Sequence, residues 1–134
     1  MNFLKLYAVS IVVFLAIDAV WLGFVARDFY RQEIGDLLRP DPRWGAAAAF
    51  YALFVAGIVT FVTMPALERA SLGRALLLGA FFGLVTYATY DLTNLAVLRG
   101  FTVKVTDIDH IWGATISASV AGAGCWAGTR MGLG

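Results

Sequence analysis

Cysteine is almost missing. Cys125 stands alone among 134 residues, so no disulfide can close within the chain, and no paired Cys/His pattern suggests zinc. Charge is scarce as well: 14% of residues are charged, against about 25% in ordinary soluble domains. The formal net charge is +1, which leaves no basic surface to displace counterions and excludes a nucleic-acid partner. No HExxH, HxxxH or Glu-x-x-His signature marks a metal site. Glycine-rich phosphate loops are absent too, as is any motif pairing a nucleophile with a base. Neither a metal nor a cofactor is expected. Apolar residues are what the chain has: 60% of it, against about 45–50% for soluble domains. A chain this short cannot hide so much oil from water, so its solvent is lipid.

Four runs carry that oil. Leu6 to Ala26 is apolar apart from Asp18, and Gly45 to Leu67 has no charge. Ala75 to Leu98 is broken only by Asp91, and Ile108 to Ala127 only by Asp109 and His110. Each run is about 20 residues, enough to cross ~30 Å of hydrocarbon at ~1.5 Å per residue. Backbone N–H groups find no water there, so the runs must be helical. The expected fold is all-α, an integral membrane bundle of four transmembrane helices (6–26, 45–67, 75–98 and 108–127) within a single domain, 1–134. Asp18 and Trp21 interrupt the first run where a cleaved leader would pass into small residues, so that run is expected to be retained.

An even number of spans puts both termini on one side. In the first connection, Arg27 to Trp44, the residues Tyr30, Ile34, Leu37 and Leu38 recur at i, i+4, i+7 and i+8 until Pro40 and Pro42. This predicts a short amphipathic segment lying at the interface. The second connection, Glu68 to Arg74, reads as a tight turn. The third, Arg99 to Thr106, alternates Thr102, Val103, Lys104 and Val105 and reads as an extended loop. The small-residue tail after Trp126 is expected to fray. Arg27, Arg31, Arg39, Arg43, Arg99 and Lys104 fall on the side of loops one and three. Only Lys5, Arg69, Arg74 and Arg130 fall on the other. The positive-inside rule then favours termini outside the cytoplasmic membrane. Trp44 and Trp126 mark helix ends, as interfacial anchors do.

The ionisable residues within the runs converge. Asp18 lies about 13 Å of helix from Arg27, and Asp91 about 12 Å from Arg99, at ~1.5 Å per residue. Asp109 and His110 enter the fourth run from the same side. A lone carboxylate near mid-membrane costs about 2.5–3.5 kcal/mol on insertion scales. Asp18, Asp91 and Asp109 are therefore expected to face one another inside the bundle, with Trp21 and Trp112 placed to wall a pocket. In Thr86-Tyr87-Ala88-Thr89-Tyr90-Asp91-Leu92-Thr93-Asn94, Tyr87 and Asn94 share a face with Asp91, and the threonine hydroxyls can bond to carbonyls one turn back. The Tyr–Asp–Asn set reads equally as interhelical glue or as a ligand or proton site. In the fourth run His110, Ala114, Ser117, Ala121 and Gly124 follow one face, with Gly124 and Gly128 at small-xxx-small spacing, which suits close helix packing.

Asp18-x-x-Trp21-Leu22, Tyr87-x-x-x-Asp91-x-x-Asn94-Leu95, Arg99-Gly100 through Lys104-Val105-Thr106, and Ile108-Asp109 to Trp112-Gly113 resemble the motifs of an uncharacterised family of small bacterial membrane proteins, domain of unknown function 2177. The resemblance runs over nearly the whole chain. It implies a four-helix inner-membrane protein of no established activity. Its matching positions are Asp18, Trp21, Asp91, Asn94, Arg99, Lys104, Asp109 and Trp112. The family pattern has an apolar residue where this chain has His110, which favours the aspartates as functional groups.

The candidate binding residues are thus Asp18, Trp21, Tyr87, Asp91, Asn94, Arg99, Lys104, Asp109 and Trp112. Three functions fit them. One is a protein that binds a small solute, a proton or a lipid headgroup, up to a minimal carrier, with Asp91 central and a homodimer implied. Another is a membrane-embedded enzyme acting on lipid, with an aspartate as general acid or base and the tryptophans shaping an acyl pocket. The third is an accessory subunit in which the polar cluster only fixes helix register. The partners expected are the bilayer and either a second copy or another membrane protein.

Overall fold

The computed structural model describes residues 2–38 and 43–133, and among them it is helical with no strand. Helix α1 (Asn2–Val20) passes through a π-helical turn at Trp21–Val25 into α2 (Ala26–Ile34). Helix α3 (Trp44–Ile58) passes through a second π-helical turn at Val59–Thr63 into α4 (Met64–Glu68). Helices α5 (Leu72–Val97) and α6 (Val103–Arg130) complete the chain. The second π-turn has a local cause. Pro65 offers no N–H, and its ring crowds the carbonyl of Phe61, so the chain widens before the helix resumes.

Three segments, Asn2–Phe24, Trp44–Glu68 and Leu72–Val97, are long and apolar enough to cross a membrane. Large apolar side chains point out of the protein all along them: Val12, Leu53 and Leu77 are 65%, 73% and 72% exposed. Helix α6 is as long but less oily, and its position explains why. Eleven of its residues are buried, against four in α1 and four in α5. Its surface mostly meets protein, where small residues serve better than large ones.

The pairing of α5 with α6 is the largest contact in the fold. A Cβ built on Gly83 would run into the Gly113 carbonyl and the Ser117 side chain, and one on Gly113 would run into the Tyr87 ring. Hydrogen at these two positions lets the backbones touch. Gly128 packs on Leu67 and Leu6, so the ends of α6 and α4 and the start of α1 meet at one end of the molecule. Asn2 donates to the Leu133 carbonyl there, at 3.5 Å.

Several connections differ from the sequence reading. The first is a continuation of α1 through α2. Its apolar face packs on the protein, with Ile34 buried against Phe101 and Val105, while Leu37 and Leu38 stay exposed. Pro40 and Pro42, expected to end this segment, lie outside the described residues, as does Arg39. The third loop is shorter than expected, because α6 begins at Val103. Thr102 caps it by accepting the Val105 N–H at 3.1 Å and donating to Glu33 at 3.1 Å; that cap outweighs the β-branched run that reads as extended. The tail does not fray. Gly132 takes φ 72°, and the N–H groups of Gly132 and Leu133 close on the carbonyls of Thr129 and Gly128 at 3.2 and 2.8 Å, a Schellman cap. The turn of the second connection follows expectation, with Ser71 capping α5 by accepting from the Arg74 N–H at 3.1 Å.

The close approach of α5 and α6 makes a stability prediction. Gly83→Ala should destabilise the protein by about 3 kcal/mol through overpacking. Gly45→Ala, where a Cβ meets nothing within 4 Å, should be neutral or gain up to about 1 kcal/mol. Unfolding in mixed micelles of increasing dodecyl sulfate reads the difference.

Candidate functional site

Helical spacing brings the aspartates inward. The buried residues of α1 are Leu6, Ser10, Phe14 and Asp18, a single stripe at four-residue steps. On α5 the buried residues Ala75, Gly79, Gly83 and Asp91 fall at the same steps, with half-buried Tyr87 filling the gap. Both stripes start at the end of the molecule where Gly128 meets Leu67, and both finish in a carboxylate. Asp109 sits one turn before Gly113 on α6. Being close partners, α5 and α6 bring Asp91 and Asp109 side by side.

The three carboxylates line one cavity of about 670 Å³. Trp21 and Trp112 stack on its wall, ring centroids 4.3 Å apart and planes within 6°. The stacked pair serves two acceptors. The Trp112 indole N–H neighbours Asp18, as does the Tyr51 hydroxyl, and the Trp21 indole N–H neighbours the Tyr30 hydroxyl. Tyr30 in turn donates to Asp109 Oδ1. Burial, and then the bond to Asp109, hold the Tyr30 phenol well above its ordinary pKa, so it remains a neutral donor. Asp91 is different. It is fully buried, its carboxyl set against that of Asp109, with no other hydrogen-bond partner among the described residues. Tyr87, held over Gly113, lies among all three aspartates.

Of the residues singled out from sequence, Asp18, Trp21, Tyr87, Asp91, Asp109 and Trp112 line this cavity. Asn94 does not; it neighbours Tyr90. Arg99 and Lys104 are exposed and lie off the lining, and the Lys104 ammonium sits 5.8 Å from the centre of the Phe29 ring. The threonines of α5 bond within their own helix, Thr86 to the Phe82 carbonyl at 2.7 Å and Thr93 to that of Thr89 at 2.6 Å. His110 is half-buried, and its Nε2 has no partner among the described residues. Tyr51, which sequence reasoning passed over, is a polar-tipped ring inside an uncharged span. Such a ring needs a partner for its hydroxyl, and that was the available signal. Among the described residues no three Asp, Glu, His or Cys side chains gather closely enough to hold one metal ion.

The profile of a family described as predicted membrane protein, DUF2177, matches residues 3–126. No curated protein and no solved structure matches the chain.

Tyr30→Phe should cost about 1–3 kcal/mol, because it strips the donor from a half-buried carboxylate. Thr89→Val, which removes only a bond to the Val85 carbonyl of its own helix, should cost less than about 0.5 kcal/mol. Thermal unfolding of the two variants in dodecyl maltoside tests the contrast.

Proposed function

The chain belongs to the DUF2177 family of predicted membrane proteins, and we propose that it binds a small solute or lipid headgroup in the aspartate-lined cavity. One observation carries the reading. Three carboxylates from three helices line one cavity of about 670 Å³, and no Lys, Arg or His side chain joins them among the described residues. A polar cluster that served only as interhelical glue would close on itself and leave no such space between its members. A ligand fits that space. Asp18, Asp109, Tyr87 and the two tryptophans complete the site.

The proposal includes the topology. Helix α6 forms the fourth span, its low oil content offset by its central place and its outer face marked by Ile111, 65% exposed. The termini then share a side, and the cation distribution places them outside the cytoplasmic membrane. Four spans are few for a carrier, so transport would need a pair of copies.

Native mass spectrometry of the chain released from mild micelles tests the binding reading. The wild type should retain a bound small molecule at one per chain. Asp91→Asn, which keeps the shape and removes the charge, should lose it while keeping its helix content. A wild type that carries nothing, or a variant that retains the same adduct, would leave the cluster as a packing device. The same spectra read the number of copies.

A further inference from the structure

We infer that the cavity takes an organic ammonium ion carrying an apolar tail, an inference that rests on the ligand-binding reading above. Its first support is charge. Three carboxylates line the cavity, and no Lys, Arg or His side chain does so among the described residues. Tyr30 donates to Asp109, Tyr51 and Trp112 neighbour Asp18, and Asp91 meets the Asp109 carboxyl; none of these partners carries a positive charge. What is missing from the site is positive charge.

The walls say what form that charge takes. Tyr87, Tyr90, Phe101 and the stacked indoles surround the carboxylates with aromatic rings, and ring faces attract cations, quaternary ammonium above all. The three carboxylates do not converge on one point. They suit a diffuse charge better than a small metal ion, for which no cluster exists among the described residues. The mouth supplies the rest. Leu22 at the end of the first span and Ala46 and Phe50 at the start of the second all line the cavity and are exposed. An opening edged by apolar side chains at that position admits a ligand whose tail remains in the bilayer. The ammonium group could belong to a membrane amphiphile or to a free amine, and the two sources differ in the need for the tail.

Calorimetric titration of the full chain in dodecyl maltoside micelles with dodecyltrimethylammonium tests this, with the neutral carbon isostere of that headgroup on the same tail as control. The cation should bind at one per chain and about ten-fold or more tighter than the isostere. Asp91→Asn should erase that preference. Ala47→Trp, which fills the cavity and keeps every carboxylate, should abolish binding and provides the test if the aspartate variant does not fold. Isostere binding equal to that of the cation, and lost in Ala47→Trp, would overturn the ammonium inference and leave the cavity a ligand site. Binding of neither amphiphile would overturn both. Tetraethylammonium, which has no tail, distinguishes the sources. If it binds as tightly as the tailed cation, the tail is dispensable and that part of the inference falls; if only the tailed cation binds, the bilayer is the source.

Discussion

A carboxylate in hydrocarbon has neither water nor counterion, and the arrangement of this protein follows from how three of them avoid that condition. Asp18, Asp91 and Asp109 come from three helices and would each be costly alone in lipid. Gathered on one cavity, they lie among aromatic walls; Tyr30 donates to Asp109, and Tyr51 and Trp112 flank Asp18. Asp91 sits against the Asp109 carboxyl, with no other partner among the described residues.

The rest of the chain holds that cavity in place. Large apolar side chains such as Phe14, Ile58 and Ile116 fill its core, others such as Leu53 and Leu77 point outward, and small residues line the α5–α6 contact. The glycine contact between α5 and α6 does the positioning: Gly83 against Gly113 sets the spacing that brings Asp91 beside Asp109 and lays Tyr87 over α6. The π-turn at Trp21–Val25 follows directly after Asp18 and starts at the residue that stacks on Trp112. It lets the helix continue into α2, whose Tyr30 reaches across to Asp109. The irregular turn thus falls at the cavity wall.

Much of this was legible in the sequence. Uncharged runs of membrane length marked the helices, and the cost of a lone carboxylate in lipid turned the three aspartates inward. The common depth of the three aspartates followed from counting residues to the loops. Legibility ended where a feature depended on contacts distant in sequence. Tyr30 read as one residue of an amphipathic stripe, because its partner is 79 residues away. Arg99 and Lys104 lay close to the site along the chain yet turn away from it, since a short loop lets long side chains reach water. Thr102 looked like part of an extended run until its hydroxyl was seen capping α6. Gly79 and Gly83 went unremarked on α5, although they carry the same small-xxx-small spacing noted on α6. Their role shows only against the partner helix.

The central claim is that aspartates from different helices share one environment, and a double-mutant cycle on Asp91 and Asp109 measures that sharing directly. Unfolding free energies of Asp91→Asn, Asp109→Asn and the double variant should depart from additivity by about 1 kcal/mol or more, as for groups in contact. Effects that simply sum, within about 0.5 kcal/mol, would mean the two carboxylates do not meet, and the cavity described here would not exist as drawn.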